Sequence, residues 1–284
     1  MNKVKYLVVA GDSNSFGSES IVDGDMDGKD NIKSAYGAFL AKKLDVPESN
    51  YINCSYPGAS NLYIIVRLLE VLDYLNSKNI NPEDILLIIG WSEPTRTTIQ
   101  TPEKNHLQIS LFLYNLFFKV KMTDLFSKKN STIKDLQSLS MFERSSYQKV
   151  MNKIKIYPYI ESFIKGLGIY FLNTDLVLIQ DLMMRKGMID IIENKKIKYF
   201  SFPSLRDIYF ESYFYIVDTI NSKNNLFTYE KNKFLLGNKY KVKFCLYDKF
   251  EKYGKSNVGG HLKIEAHKHI ASFIYNELIS RKIL

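Results

Sequence analysis

The sequence is most constrained by two short runs that stay apolar up to a closing glycine: Tyr6 to Ala10 (YLVVA) before Gly11, and Asp84 to Ile89 (DILLII), apolar after its first residue, before Gly90. A strand with no polar face has nothing to offer water, so it is covered on both sides, as inside a parallel sheet. Neighbouring segments supply the cover. Ser34 to Leu44 has helical character, and Asn61 to Asn76 places Ile64, Ile65, Leu68, Leu69, Leu72 and Leu75 at helical spacing. Tyr51 to Cys54 is a short strand between them. The alternation resumes late in the chain, with a helix over Ile169 to Asn194, a strand over Lys196 to Phe202, and an amphipathic helix from about Leu262 to Ile279. Strands alternating with helices predict an α/β fold, a three-layer α/β/α sandwich around a central parallel sheet, because each crossover lays its helix on a face of the sheet.

Between these halves, Thr95 to Gly168 carries Phe, Tyr, Leu and Lys at roughly helical spacing and no strand as clear as the others. It reads as a mainly helical insertion, at about 95–168, in a single domain spanning 1–284. Leu205 to Tyr253 is rich in Tyr and Phe and is assigned no element. No internal repeat or low-complexity linker divides the chain.

Composition narrows the function classes. With 45% hydrophobic and 24% charged residues the chain can bury a core, and a folded protein rather than a wholly disordered one is expected. The net charge of +9 comes from dispersed lysines rather than a basic block, so the expectation is a solvated basic surface and no nucleic-acid partner. Cys54 and Cys245 lack CxxC spacing and read as reduced thiols, with neither a zinc site nor a disulfide framework indicated. The first apolar run is cut by Gly11-Asp12 well short of a signal peptide, and no stretch approaches the roughly 18 apolar residues of a membrane span. A cytoplasmic protein with no membrane partner is expected. The glycine patterns of dinucleotide and P-loop sites are absent. Asp23, Asp25 and Asp27 copy the first half of a calcium loop, but Ser34 stands where the bidentate glutamate belongs, which favours a solvated acidic loop over a cation site. His261, His267 and His269 do not share one helix face, so no metal and no other cofactor is expected.

Four fragments place polar groups where predicted strands end. Gly11-Asp12-Ser13-Asn14-Ser15 follows the first apolar run, and a serine on a sharp strand-to-helix turn can attack an acyl carbon beside backbone N–H groups. Asn53 to Asn61 follows the second strand, with Gly58 able to present an unobstructed N–H and Asn61 suited to cap the helix. Gly90-Trp91-Ser92-Glu93-Pro94 follows the third. Gly259-Gly260-His261 carries an imidazole into the last helix, where it can serve as general base and then general acid.

In this order the fragments resemble blocks I, II, III and V of the SGNH (GDSL) hydrolase superfamily, whose sheet is flavodoxin-like, on either side of the unmatched insertion. The runs Ile-Gly-Trp-Ser-Glu-Pro-Thr-Arg and Gly-Gly-His are also similar to divergent members encoded by bacteriophages, which would make the protein virion-associated. The resemblance implies Ser13 as nucleophile, His261 as base, and the N–H groups of Ser13 and Gly58 in the oxyanion hole, with His267 structural. Two positions depart from the pattern. The family's block III asparagine completes the oxyanion hole, and Ser92 stands there, so Ser92, Asn61 or a water takes that part; losing one such donor can slow turnover by ~10²–10³-fold. The family's aspartate three residues before the histidine is Val258, which leaves Asp248, Glu251, Glu265 or a backbone carbonyl to orient the imidazole. The expected activity is that of an esterase or deacylase acting through an acyl-Ser13 intermediate on a small-molecule or carbohydrate ester. The competing expectation is a catalytically silent binding or structural protein that keeps the fold as a scaffold.

Overall fold

The structure, a computed structural model, describes residues 4–94, 96–100, 106–109, 174–204 and 246–284. The chain divides into two compact units, Met1–Pro94 with Leu178–Leu284, and Thr95–Val177. In chain order the elements are β1 (Tyr6–Ala10), α1 (Ser13–Phe16), α2 (Lys29–Ser34), α3 (Tyr36–Lys43), β2 (Tyr51–Asn53), α4 (Asn61–Ser77), β3 (Ile85–Trp91), β4 (Thr97–Gln100), β5 (His106–Ile109), α5 (Thr174–Asn194), β6 (Lys198–Pro203), α6 (Leu246–Phe250) and α7 (Ile264–Ser280).

The first unit is built on a four-stranded parallel sheet in the order β2-β1-β3-β6. Alternate side chains of a strand point to opposite faces, and both faces here are apolar. Leu7, Val9, Leu86, Ile88, Phe200 and Phe202 pack with Tyr36 and Leu40 of α3 and Ala266, Ile270 and Ile274 of α7. Val8, Ala10, Leu87 and Ile89 pack with Ile64, Leu68 and Leu72 of α4 and Met188 and Ile192 of α5. This is the α/β/α sandwich that the uninterrupted apolar runs imply.

The helix expected over Ser34 to Leu44 is α3, which starts two residues later at Tyr36 because Ala35 is extended (ψ 157°) and separates it from the short α2 that ends at Ser34. The bend sends Tyr36 into the core, where its hydroxyl donates to Ser15 Oγ at 2.8 Å. In the second unit, β4 and β5 pair antiparallel from Thr97↔Ile109 to Gln100↔His106, where the sequence suggested helix. The consecutive β-branched residues Thr97, Thr98 and Ile99 favour a strand there. The remainder of the helical expectation at 95–168, and Leu205 to Cys245, lie outside the described residues. No helix among the described residues is long and apolar enough to cross a membrane. Cys54 is a buried free thiol whose pKa burial pushes up to about 12, which leaves it inert near neutrality.

His267 on α7 is fully buried, stacks on Tyr36, and accepts a hydrogen bond at Nδ1 from the Tyr36 N–H (3.3 Å). Burial pushes its pKa down from 6.5 to about 4. The unfolded chain therefore binds a proton before the folded chain does. The stability contributed by the neutral ring is full above pH 6.5 and is lost as pH falls toward 4, a change of about 3 kcal/mol. Urea unfolding at pH 7 and pH 4.5 should show a drop that is smaller in His267→Asn, whose Oδ1 can accept the same N–H without titrating; equal drops in both proteins would contradict it.

Candidate active site

At the end of β1 the chain turns sharply through Gly11 and Asp12 into α1. A Cβ on Gly11 would lie 2.1 Å from Ser15 Oγ and 2.9 Å from the Gly90 carbonyl, so the close approach of β1 and β3 at this edge requires glycine. Asp12 caps α1 by accepting from the Asn14 N–H (3.0 Å) and also accepts from Ser204 Oγ (2.7 Å). Ser204 in turn donates its N–H to the Trp91 carbonyl (2.8 Å), which ties the ends of β1, β3 and β6 together. Ser13 is the first residue of α1 and is 6% exposed. Gly17, in the left-handed region at φ 88°, closes that helix, and the N–H groups of Gly17 and Ser18 both donate to the Ser13 carbonyl.

His261 lies in the loop entering α7 with its side chain 13% exposed, and its Nδ1 is 2.7 Å from Oε2 of Glu19, whose side chain is fully buried. A carboxylate can only accept, so Nδ1 is the donor, and in the neutral tautomer this selects, Nε2 holds the lone pair. Glu19 Oε1 also accepts from the N–H groups of Gly24 (2.7 Å) and Gly259 (3.0 Å), and Oε2 from that of His261 (3.4 Å). Burial works to raise the Glu19 pKa, but the bonds from the His261 ring and the Gly24 amide outweigh it and hold the carboxyl below the ordinary glutamate range. The imidazole is thus attached to the loop that leaves the Ser13 helix. Among the described residues no hydrogen bond joins the Ser13 hydroxyl to the ring directly.

The acids singled out from sequence do not orient this imidazole. Asp248 is exposed on the first turn of α6, while its neighbour Tyr247 donates to the Gly260 carbonyl (2.7 Å). Glu251 pairs with Lys255 and Glu265 with Lys268. Glu19 was missed because its partner lies 242 residues away in the chain and no local pattern marks it. Its backbone is left-handed at φ 57°, but Asp45, Asn79, Lys196 and Lys282 share that conformation, so it does not single Glu19 out.

Gly58 is half-buried in the turn closed by the Ala59 N–H on the Tyr56 carbonyl (3.0 Å), at φ 80°, which glycine adopts without strain. The Tyr56 N–H donates to the Gly11 carbonyl (3.1 Å), so this turn and the Ser13 turn are joined. Asn61 does not cap α4; Ser60 does, accepting from the Tyr63 N–H (3.2 Å). Asn61 instead clamps Ser92: its Oδ1 accepts the Ser92 N–H (2.7 Å), and its Nδ2 donates to the Ser92 carbonyl (2.9 Å) and to Asp181 Oδ1 (2.7 Å). Both amide hydrogens of Asn61 are used, so neither is left for an oxyanion. The Ser92 hydroxyl is buried and has no hydrogen-bond partner among the described residues.

In the acidic loop, Asp23 pairs with Lys263 and accepts the Asn257 N–H (3.3 Å). Asp25 accepts from the Gly28 N–H (3.0 Å) and from Asn31 Nδ2 (3.1 Å). These carboxylates close the loop on itself and onto the His261 loop. Among the described residues no group of three or more His, Cys, Asp or Glu side chains could hold a metal ion.

No family model matches the sequence, and no curated protein matches it. Solved structures with similar folds include a protein described as lipolytic and of the G-D-S-L family from Desulfitobacterium hafniense (12% identity, TM-score 0.40, 99% of this chain and 100% of that one). Another is a carbohydrate esterase with divergent catalytic and non-catalytic binding functions (11% identity, TM-score 0.43, 97% and 68%). A third is an acetyl xylan esterase from the rumen bacterium Butyrivibrio proteoclasticus (10% identity, TM-score 0.42, 98% and 64%). The link to phage-encoded proteins has no support from these comparisons.

Proposed function

We propose that the chain is a serine hydrolase of the SGNH/GDSL type, an esterase or deacylase. The observation that carries this reading is the His261 Nδ1–Glu19 bond, which orients the ring through Nδ1, leaves Nε2 as the nitrogen that exchanges a proton with substrate groups, and fastens the ring to the segment leaving the Ser13 helix. In the proposed reaction Ser13 Oγ attacks the ester carbonyl carbon while its proton passes to His261 Nε2. The N–H groups of Ser13 and Gly58 stabilise the oxyanion. The bond to the alkoxy oxygen then breaks, and the imidazolium returns the proton to the departing alcohol. Water repeats the sequence on the acyl-serine, its proton going to Nε2 and then to Ser13, releasing the acid. For the alcohol, an acylated carbohydrate is the substrate to test first: Tyr56, exposed beside Gly58 and packed edge-on against Tyr63 (centroids 5.5 Å apart), offers a face on which a sugar can stack.

The silent-scaffold reading is favoured by one observation: Ser92 replaces the family's oxyanion asparagine, and Asn61 is wholly engaged in holding its backbone. A fluorophosphonate probe decides between them. The native protein should label on the peptide containing Ser13, and Ser13→Ala should not label. A native protein that stays unlabelled under conditions that label a control esterase would favour the scaffold.

A further inference from the structure

We propose that Glu19 is the positioning carboxylate of the catalytic pair, the part played in the family pattern by an aspartate three residues before the histidine, where this chain has Val258. The assignment rests on the reading of Ser13 and His261 as catalytic.

Its Oε2 stands 2.7 Å from Nδ1, the ring nitrogen opposite the one that must take the serine proton. The acid is withdrawn from water yet satisfied, since the Gly24 and Gly259 amides and the ring donate to it, so it can stay ionised where it is needed. The surroundings are built to admit it. A Cβ on Gly259 would come within 2.3 Å of Glu19 Oε2, so glycine at 259 lets the C-terminal loop close over the carboxylate. Lys263 donates to the Glu19 carbonyl (2.9 Å) and pairs with Asp23, latching the same two loops from the other side. The acid is thus delivered by the loop after the nucleophile's own helix, and competence depends on that loop being closed.

A cross-link with no chemical part would explain the same bonds, so the test separates the two roles. Glu19→Gln keeps the size of the side chain and an oxygen for the amides, but removes the charge and presents an N–H to the ring. If Glu19 positions the base, the folded Glu19→Gln protein should lose about 10²–10⁴-fold in kcat on an activated ester with KM within a few-fold. The acid limb of its pH–rate profile should move to lower pH, and Glu19→Asp should recover part of the rate. In proton NMR of the native protein, a downfield His261 Nδ1–H resonance should be present and should disappear in Glu19→Gln. A folded Glu19→Gln protein with native kcat and an unmoved pH profile would overturn the proposal. Should Glu19→Gln not fold, Glu19→Asp at full native rate, or a native protein without the resonance, would overturn it as well. Hydrolysis that persists in Ser13→Ala would instead sink the serine-hydrolase reading, and the NMR measurement would still report the Glu19–His261 bond on its own.

Discussion

Ser13→Ala is expected to lower turnover of an activated ester by about 10⁴-fold or more while changing the unfolding free energy by less than about 1 kcal/mol. The two numbers separate because of where the hydroxyl sits. Among the described residues the Ser13 side chain makes no hydrogen bond, and the start of its helix is held by the Asp12 carboxylate, so its oxygen carries no structural bond. In the proposed reaction its removal takes away the atom that would form the acyl-enzyme and leaves only the proposed oxyanion donors and His261 to act on water. Steady-state kinetics on a nitrophenyl ester, paired with urea unfolding, checks both. Retained hydrolysis would place the nucleophile elsewhere, and a joint loss of activity and stability would make Ser13 a structural residue.

The largest effect on stability is expected at Asp181. Asp181 and Arg185, one turn apart on α5, form an ion pair of 2.6 Å with side chains 2% and 5% exposed. Burial works to raise the Asp181 carboxyl pKa, and Arg185 and Asn61 work against it. Arg185 donates to the Ser92 carbonyl (3.1 Å) and lies over the Trp91 ring (5.5 Å), while Asn61 donates to Asp181 and grips Ser92. Asp181→Ala removes the carboxylate 2.6 Å from the buried Arg185 guanidinium and frees one amide hydrogen of Asn61. The expected cost is about 3–5 kcal/mol. Replacing the pair together, as Asp181→Leu with Arg185→Met, should cost distinctly less, because no charge remains to be desolvated. Denaturant unfolding of the variants checks this; a loss below about 1 kcal/mol for Asp181→Ala, or no relief in the double variant, would contradict it.

The parallel sheet was legible because its signal is local. β1 and β3 have no polar position to turn toward water, so their burial on both faces comes from composition alone, and the helices over α4 and α7 come from apolar spacing. The residues at the strand ends were legible in part: Gly11 follows the last residue of β1 and Asp12-Ser13 come next, but β3 continues through Gly90 to Trp91, so its polar end begins only at Ser92. Helix capping was half legible. Asn61 and Ser60 are both good capping residues by type, and the choice of Ser60 depends on the demand that the Ser92 backbone makes on Asn61. The β4–β5 strands went unread because an aromatic-rich segment at roughly helical spacing outweighed a short β-branched run.

By itself, then, the order of residues determined that a parallel sheet would form and that Ser13, Gly58, Ser92 and His261 would come after strand or loop ends near glycines, since periodicity and turn chemistry act over a few residues. Only the tertiary structure decided which carboxylate meets His261 and what Asn61 holds. Several acids were chemically able to orient the ring, and the selection of Glu19 came from the closure of two loops far apart in the chain, where burial, two glycine amides and a lysine latch favour a single partner.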